Sequence, residues 1–565
     1  MTLAEYIAET IKEYGAEHAF GIPGGVVLRL LEALERESGL TPHLNYHEQM
    51  AGFAACGYAQ QSGHLGVAYA TRGPGIANMI TCIAEAWREG LPVLFITAHG
   101  KRADFAMGQN SGQELDFTDA VSGFTKYARS VETPEQAVES LHAACEQAMN
   151  GRQGPVFLDI FAPLFQCELT NLVRQKKPAH VLNPCEMLAE EAVETLGRHL
   201  LTAKRPIVLI GDGVRRARDR LLVLESLNNL GIPILSSRAS QDILSQSELY
   251  YGYIGSHGVR YANYILSKAD FVLSLGNSMS YPTASESFAP MMERIAQMRL
   301  DIDGAVFRNA GANKEVYCLD VADFFPALIR SGIRWKDQRD WLMTCSQLKM
   351  ELSEEDVTNP VWQLAKVLSH STGDRIFICD VGNNEFWFSR AFELTHPLGE
   401  VLFSKSFATL GSALGRAIGA HYASRKRVVC VMGDQGFQYN IQELQYIAQW
   451  RLPVKILLLN DGTSAMIRDH EEQIFGERRI HVDRTSGYAT PDFKAIAAAY
   501  GIAYVTPEGM GRLPPERTME NDGPLLCEIR YDARLRLIPN LPHGNRCQNM
   551  EPALPVTQFE RLERL

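Results

Sequence analysis

Short apolar runs alternate with longer segments of helical periodicity along the chain. In the first part of the chain the apolar runs are HAFGI, LGVAYAT, PVLFIT and PVFLDI, and amphipathic stretches separate them. The alternation returns with RPIVLIGDG, GIPILSS, ADFVLSLGN and MRLDIDG, and a third time with DRIFICDVG, VLFSKS, RVVCVMGDQG and VKILLLNDG. Strands that alternate with helices in sequence form parallel sheets covered by helices. The pattern therefore predicts an α/β fold of mostly parallel sheets with helices on both faces.

Interruptions of this pattern predict three domains and a tail. The polar stretch ELTNLVRQKKPAHVLNPCE separates the first two sets of strands, and a proline-rich stretch follows the third set. A chain of 565 residues also agrees with about three domains of roughly 100–200 residues each. We expect an N-terminal domain over 1–167, a linker over 168–186, a central domain over 187–345, a C-terminal domain over 355–540 and a tail over 541–565.

A weak internal echo links the first and third domains. GVAYATRGPGIAN is followed by a helical segment and LPVLFITAHG, and RVVCVMGDQGFQYN by a helical segment and LPVKILLLNDG. The echo favours one shared fold, although any two strand–helix–strand units look alike to some degree. The chemistry at the strand ends differs, because the third domain carries Asp434 and Asp461 where the first carries Thr71, Arg72 and His99.

Composition and charge exclude several kinds of partner. The net charge is −11 and basic residues form no long run, which argues against nucleic acid and anionic membrane surfaces. No apolar stretch approaches the roughly 18 residues of a membrane span, and the N-terminus lacks the pattern of a signal peptide. The 11 cysteines include no C-x-x-C pair, so reduced core cysteines are expected. We therefore expect a cytoplasmic protein.

Two carboxylates follow neighbouring strands of the third domain. Asp434 comes directly after RVVCVMG, and Asp461 comes after VKILLLN. The carboxyl ends of parallel strands are where ligands bind in open α/β sheets. Mg²⁺ takes few protein oxygens and completes its shell with phosphate and water. Gly433 and Gly436 allow backbone N–H groups to approach a diphosphate at the start of the next helix.

The segment GDQGFQYNIQELQYIAQWRLPVKILLLND resembles the thiamine-diphosphate motif of the acetohydroxyacid (acetolactate) synthase family. The resemblance implies a pyruvate-oxidase/decarboxylase-like architecture, thiamine diphosphate and Mg²⁺ as cofactors, and a metal held by Asp434, Asp461 and the backbone carbonyl of Thr463. Two positions depart from the motif: Gln435 replaces a small residue, and Asp461 replaces an asparagine. The extra charge of Asp461 strengthens metal binding and also repels the diphosphate.

Other segments extend the resemblance over nearly the whole chain. DVGNNEFW matches a diphosphate loop, and in FATLGSALGRAIGA the matching residues are Ala408, whose carbonyl faces the aminopyrimidine, and Leu410, an apolar wedge that bends the cofactor. From the residues alone, Leu410 would be assigned to the core. The cofactor contacts that the resemblance implies are Gly24, Gly25, Pro74, Asn78, Gly382, Asn383, Asn384, Ala408, Leu410, Gly433, Gln435, Gly436 and Met466.

Glu48 lies after a predicted strand and begins a helix rich in Ala and Gly. A glutamate there also interacts favourably with the helix dipole, without any catalytic role. In the family, the matching glutamate is catalytic: it hydrogen-bonds the pyrimidine N1′ and so promotes loss of the proton from thiazolium C2. Glu48 and Asp434 lie in different domains, yet one cofactor must meet both. The resemblance therefore implies a homodimer or homotetramer with active sites at the subunit interface.

The resemblance implies decarboxylation of a 2-oxo acid, most simply pyruvate, and transfer of the acyl unit to a carbonyl acceptor. The loop AMGQNSGQELDF lacks the His-His pair of pyruvate-type decarboxylases and matches the loop of the ligases. Its Gln113 matches a catalytic glutamine near the acceptor, or is a surface loop residue. A simple decarboxylase that releases an aldehyde is the alternative. A non-catalytic regulatory homologue is disfavoured by the intact Glu48.

The sequence leaves two questions undecided: the identity of the acceptor and whether the central domain binds FAD. Ile467 keeps the family pattern, but His470 stands where a tryptophan selects the second oxo acid in the family. A more polar or larger pocket is therefore expected, with an acceptor such as a ketosugar nucleotide. His470 is equally typical of an exposed, charged helix. The segments 255–258 and 300–303 resemble loops near a non-redox FAD, but the family's arginine-bearing loop is missing.

Overall fold

Three six-stranded sheets form the framework of the protein. The computed structural model describes residues 1–100, 113, 115–169, 185–217, 219–280, 283–307, 314–336, 339–370, 374–507, 519 and 521–565. Each sheet is flanked by helices, which confirms the predicted three-domain α/β fold. The predicted linker lies almost entirely outside the described residues.

The chain divides into two compact units. One contains the N-terminal and C-terminal sheets, and the other contains the central sheet and the tail. The first unit comprises Met1–Ala179, Thr372–Glu385 and Leu402–Ala533, and the second comprises His180–Ser371, Phe386–Val401 and Arg534–Leu565.

The N-terminal sheet is parallel throughout, in the order β2-β1-β3-β4-β6-β5. Its strands are β1 (His18–Gly21), β2 (Thr41–Leu44), β3 (Gly66–Tyr69), β4 (Val93–His99), β5 (Tyr127–Val131) and β6 (Val156–Phe161). Its helices are α1 (Leu3–Glu13), α2 (Leu28–Arg36), α3 (Glu48–Ser62), α4 (Pro74–Ala77), α5 (Ile80–Glu89), α6 (Phe117–Ser122) and α7 (Pro134–Met149). The helix α1 begins with a capping box between Thr2 and Glu5, which satisfies two backbone N–H groups that the helix leaves free.

The central sheet is also parallel and has a different order, β12-β11-β10-β7-β8-β9. Its strands are β7 (Pro206–Ile210), β8 (Ile234–Ser236), β9 (Tyr250–Tyr253), β10 (Phe271–Leu275), β11 (Ala296–Asp301) and β12 (Lys314–Cys318). Its helices are α8 (Cys185–Leu200), α9 (Arg220–Leu230), α10 (Arg260–Lys268), α11 (Ala289–Met292), α12 (Val321–Ser331) and α13 (Arg339–Leu352). Counted from its own first strand, this is the 3-2-1-4-5-6 order of a doubly wound nucleotide-binding sheet.

The C-terminal sheet has the order β14-β13-β15-β16-β18-β17. Its strands are β13 (Arg375–Cys379), β14 (Glu400–Phe403), β15 (Arg427–Gly433), β16 (Val454–Asn460), β17 (Ala503–Val505) and β18 (Leu525–Arg530). The helices are α14 (Trp362–Ser369), α15 (Asn383–Thr395), α16 (Ala413–Ser424), α17 (Asp434–Tyr439), α18 (Glu443–Gln449), α19 (Ala465–Phe475) and α20 (Phe493–Ala499), and α21 (Val556–Arg564) lies in the tail. Counted from their own first strands, the N-terminal and C-terminal sheets share the order 2-1-3-4-6-5. The prediction that these two domains share one fold is therefore confirmed.

Helices α3 and α16 pack closely inside the first unit. A Cβ placed on Gly57 would lie 2.2 Å from the carbonyl oxygen of Arg416, and one placed on Gly419 would lie 1.8 Å from that of Ala54. The small residues of α3 therefore allow the two helix backbones to approach each other, and residues of both helices belong to one shared apolar core. Arg416 also forms a fully buried ion pair with Glu85 of α5. None of the helices in the described ranges has the length and apolar character needed to cross a membrane.

Candidate active site

The two predicted metal-binding carboxylates lie at one edge of the C-terminal sheet. Strands β15 and β16 are parallel neighbours, with Gly433 opposite Leu459, so the residues that follow them emerge together. Asp434 Oδ2 accepts a hydrogen bond from the backbone N–H of Gly462 at 3.0 Å, directly beside Asp461. Burial, and then the charge of Asp461, raise the pKa of Asp434 to about 7. The structure thus brings the predicted pair together in a buried setting.

This donor set fits a small hard cation. Burial raises the pKa of Asp461 as well. Both carboxylates are therefore favoured in their ionised form only when a cation lies beside them. In the parts of the chain that the structure describes, no group of three or more His, Cys, Asp or Glu side chains is arranged to hold a metal ion. Two carboxylates suit Mg²⁺, which completes its shell with a backbone carbonyl, phosphate oxygens and water. Thr463, whose carbonyl was predicted as a ligand, is fixed by N–H and Oγ1 hydrogen bonds to Asp461 Oδ1, both at 3.0 Å.

The predicted diphosphate loop lies beside the metal motif. Gly382 has a φ of +124°, which a side chain rarely tolerates, and Asn384 donates from Nδ2 to the carbonyl oxygen of Asp380 at 2.7 Å. Asn384 Oδ1 would lie 3.3 Å from a Cβ on Gly433, so the loop and the metal motif are in direct contact. Gln435, the departure from the family motif, accepts through Oε1 from Ser464 Oγ at 2.9 Å. Its side chain therefore ties α17 to the start of α19.

The predicted pyrimidine segment forms a turn against the same motif. Ala408 and Gly411 both have positive φ, +57° and +82°, and Leu410 lies between them. A Cβ on Gly436 would lie 3.2 Å from Leu410 Cδ1 and 2.1 Å from Asp380 Oδ2, so only glycine fits at that position. Leu410 is only partly buried, which favours a ligand-facing wedge over a core residue.

The N-terminal residues form a second cluster around Glu48. Asn78 Nδ2 donates to Glu48 Oε2 at 3.0 Å, and Oε1 would lie 3.6 Å from a Cβ on Gly75. Pro74 occupies the first turn of α4, directly before Gly75. A Cβ on Gly73 would lie 2.5 Å from the carbonyl oxygen of Gln113, which places Gln113 beside this cluster.

The remaining N-terminal predictions lie at the end of β1. A Cβ on Gly24 would lie 2.4 Å from the Cβ of Thr71, which follows β3, the neighbour of β1 in the sheet. Gly25 is exposed and has open space around it. Both glycines follow β1 at the carboxyl edge of the N-terminal sheet.

Two buried carboxylates that were not predicted from the sequence brace these clusters. Asp380 follows β13 and accepts from the backbone N–H of Gly411 through both oxygens, at 3.0 and 2.9 Å. Burial raises the pKa of Asp380 to about 7. Glu443 accepts from the N–H groups of Tyr46 and His47 at 2.8 and 3.1 Å, immediately before Glu48. Asp380 was detectable by the same strand-end rule that found Asp434, whereas Glu443 carries no sequence signal of its own.

The predicted acceptor residues lie on α19 and face outward. Ile467 is 50% exposed and Ile474, two turns along, is 71% exposed, and His470 lies exposed between them. Met466, the predicted cofactor contact, is half-buried. The structure therefore places an open, partly apolar helix face next to the metal motif, and His470 belongs to it.

The 255–258 loop of the central domain is held by its own unit. Arg390 donates to the carbonyl oxygens of His257 and Gly258, both at 2.9 Å, and the His257 ring stacks on Phe386 with centroids 4.1 Å apart. These contacts assign the loop a structural role, and FAD binding stays a prediction.

Three domain models of one family match this chain in order. The thiamine pyrophosphate enzyme N-terminal TPP binding domain matches residues 1–120, the central domain matches 193–328, and the C-terminal TPP binding domain matches 380–529. Together these matches cover well over half of the sequence. The chain therefore belongs to the thiamine pyrophosphate enzymes, and it is a thiamine-diphosphate-dependent enzyme.

Curated relatives cover the chain almost completely and confirm the resemblance to acetolactate synthase large subunits. The acetolactate synthase large subunit of Lactococcus lactis subsp. lactis is 27% identical over 97% of this chain and 95% of its own length. In Escherichia coli (strain K12), the isozyme 2 large subunit is 28% identical over 96% of this chain and 98% of its own length. The isozyme 1 large subunit of the same organism is 29% identical over 96% of both chains.

Proposed function

We propose that this enzyme is a Mg²⁺-dependent carboligase, which decarboxylates a 2-oxo acid and joins the remaining acyl unit to a carbonyl acceptor. The observation that carries the proposal is the buried pair Asp434 and Asp461 beside the turn of Leu410. Relatives over nearly the full chain length are named acetolactate synthases, which supports ligation over simple decarboxylation. Pyruvate is the proposed donor.

The C-terminal domain would hold the cofactor and its metal. Asp434, Asp461 and the carbonyl of Thr463 would bind Mg²⁺, and the backbone around Gly382 and Gly436 would receive the diphosphate. Bound thiamine diphosphate would supply the electron sink that decarboxylation of a 2-oxo acid requires.

Glu48 would control one proton. The hydrogen bond from Asn78 fixes Oε2, and Oε1 lies over Gly75, where we assign it to hold a proton at the pyrimidine N1′. Glu443 fixes the residues that precede Glu48, so the carboxylate is positioned from two sides. A positioned acid–base group of this kind contributes about 10²–10⁴-fold to a rate.

We propose an acceptor that is more polar than a short 2-oxo acid. His470 replaces the expected tryptophan and is exposed on α19, on the same side as Ile467. An imidazole donates and accepts hydrogen bonds, which suits a hydroxylated acceptor such as a ketosugar nucleotide. Gln113, beside Gly73, is the proposed second contact to the acceptor.

We also propose that two copies of the chain share each active site and assemble as a homodimer or homotetramer. The family resemblance supports this arrangement, because in the family the residues that match Glu48 and Asp434 meet one cofactor across a subunit interface. An isologous two-fold dimer would contain two such sites.

The test is a product analysis. Purified protein with ¹³C-labelled pyruvate, Mg²⁺ and thiamine diphosphate is incubated with a panel of 2-oxo acids, aldehydes and ketosugars. We expect CO₂ release and a ligated product whose yield is highest with a hydroxylated acceptor. Free acetaldehyde without any ligated product would identify a decarboxylase instead. No CO₂ from any of several 2-oxo acid donors would contradict the proposal. The absorption spectrum of the same sample reports bound FAD.

A further inference from the structure

Arg468 is a buried cation beside the proposed metal site. It lies in the first half of α19, and its Nη1 donates to Asp461 Oδ2 at 3.2 Å and to Thr463 Oγ1 at 2.8 Å. On its other edge, Nε and Nη2 donate to Asp469 Oδ1 at 3.2 and 2.9 Å. Asp469 Oδ2 in turn accepts from Asn383 of the diphosphate loop at 2.9 Å. One guanidinium thus connects a candidate metal ligand to the loop that would receive the diphosphate.

The charge of Asp461 gives this cation a specific purpose. The motif that the chain resembles has an asparagine here, so this chain carries one additional negative charge next to Asp434. Two carboxylates attract a metal cation more strongly than one carboxylate and one amide, and they also repel a diphosphate more strongly. Arg468 supplies one positive charge at hydrogen-bonding distance from Asp461. The side chains of Arg468 and Asp461 are 8% and 3% exposed. At such burial the pairing is screened little by solvent.

Asp469 fixes the orientation of the Arg468 guanidinium on the edge away from Asp461. Asp469 engages Nε and Nη2 and leaves Nη1 for Asp461, so the planar fork has one fixed orientation. A lysine would carry the same charge as a single point without this fork. Charge and geometry at Arg468 can therefore be separated by substitution.

We propose that Arg468 is the built-in counter-charge of the metal site: it cancels the charge that Asp461 adds and so sets how tightly the site holds Mg²⁺ and the diphosphate. The inference rests on the proposed function, because it takes Asp434 and Asp461 as the metal-binding pair. Arg468 acts through Asp461 and is a positioning residue.

Opposite effects are expected for the two single substitutions. Arg468→Met leaves Asp461 without its counter-charge, so the dissociation constant of Mg²⁺ falls about tenfold and that of thiamine diphosphate rises about tenfold. Asp461→Asn leaves Arg468 facing the metal, so the dissociation constant of Mg²⁺ rises at least about tenfold. The double variant removes both charges, and both constants return to within about threefold of wild type. This cancellation of two opposite effects is what a counter-charge predicts.

The experiment is calorimetric titration of the full-length protein, first with magnesium chloride alone and then with thiamine diphosphate at saturating Mg²⁺. The variants are Arg468→Met, Arg468→Lys, Asp461→Asn and Asp461→Asn/Arg468→Met. Arg427→Met is the matched control, because Arg427 begins β15 at the end opposite Asp434 and pairs with the exposed Asp522. Asp434→Asn tests the metal site itself, and circular dichroism checks the fold of each variant.

The outcomes separate this inference from the proposed function. Restoration in the double variant and near-wild-type Mg²⁺ affinity in Arg468→Lys support the counter-charge. A double variant whose Mg²⁺ affinity stays as low as that of Asp461→Asn, or an Arg468→Lys variant that behaves like Arg468→Met, would overturn it while leaving the metal site standing. An Asp434→Asn variant with unchanged Mg²⁺ affinity would overturn the proposed metal site as well. If Arg468→Met does not fold, the comparison of Asp461→Asn with the double variant distinguishes the same two outcomes.

Discussion

Asp380 and Gly411 are joined by a pair of hydrogen bonds, in which the N–H of Gly411 donates to both carboxylate oxygens of Asp380 at 3.0 and 2.9 Å. Asp380 Oδ1 also accepts from the N–H of Ala413 at 3.3 Å, at the start of α16. The same carboxylate lies against Gly436 of the metal motif. One buried side chain therefore fixes the pyrimidine turn relative to the diphosphate site.

Replacing Asp380 with asparagine is expected to weaken cofactor binding. The amide retains one acceptor oxygen but turns an N–H₂ group toward backbone donors, and hydrogen bonds to a charged acceptor are worth about 1.5–3 kcal/mol each. We expect the dissociation constant of thiamine diphosphate to rise about 10–100-fold, as measured by calorimetric titration. Asp374→Asn is the matched control, because Asp374 lies at the opposite end of β13 in an exposed ion pair with Lys426. Equal effects of both changes would contradict the bracing role.

Glu443 is expected to make the stability of the protein depend on pH. Burial raises the pKa of Glu443 to about 7, above its ordinary value of 4.5. The folded protein therefore binds a proton more tightly than the unfolded chain does. The contribution to stability is complete below about pH 4.5 and is lost as pH rises through about 7.

The measurement is the denaturant midpoint at several pH values for wild type and Glu443→Gln. The variant should lose less stability than wild type between pH 5 and 8, by up to about 3 kcal/mol, since each pKa unit corresponds to about 1.4 kcal/mol. Glu32→Gln, which changes a half-exposed carboxylate of α2, should behave like wild type. Parallel pH profiles for wild type and Glu443→Gln would contradict the assignment.

Truncating Leu410 should damage function more than stability. Leu410 is partly exposed at the pyrimidine turn, whereas Leu414, four residues further on in α16, is fully buried. We expect Leu410→Ala to lower kcat/KM at least about tenfold with little change in Tm, because few core contacts are lost. Leu414→Ala should instead cost about 2–5 kcal/mol of stability. If Leu410→Ala lowers Tm as much as Leu414→Ala does, Leu410 is a core residue and the predicted cofactor contact is wrong.

Mixing two inactive variants tests whether active sites are shared. If Glu48 of one chain serves the Asp434 site of another, a dimer of Glu48→Gln and Asp434→Asn subunits contains one intact site. Because purification through both tags selects these mixed dimers, in which one of two sites is intact, about half of wild-type activity is expected. Co-expressed, doubly tagged protein is assayed beside each variant alone. Activity that stays at the level of the single variants would place both residues of a site in one chain.

Much of the site could be predicted from the sequence, because its residues directly follow strands that the sequence pattern predicts. Asp434 and Asp461 were predictable, since each follows an apolar strand and the ends of adjacent parallel strands meet. The glycine pattern and the repeated Leu-Pro-Val strands likewise indicated the shared strand order of two domains. Asp380 obeys the same rule and was not singled out, although it begins the DVGNNEFW segment.

Other parts depend on contacts between residues that are distant in sequence. Glu443 meets Asn45 across 398 positions, and no periodicity links them. Arg468 was not singled out from the sequence, although it is buried between Asp461 and Asp469. Such contacts arise when the N-terminal and C-terminal domains and α19 pack together. The hydrophobic pattern of a single segment carries no information about that packing.

The rate of CO₂ release from pyruvate by Glu48→Gln tests the proposed chemistry at its key residue. The substitution keeps the size of the side chain and its contact with Asn78, but removes the group that holds a proton at the cofactor. We predict a fall of at least about 100-fold at saturating Mg²⁺ and thiamine diphosphate. Cofactor affinity should remain within about threefold of wild type, because the diphosphate and metal contacts lie in the C-terminal domain. A variant that retains more than about a tenth of the wild-type rate would contradict the role assigned to Glu48.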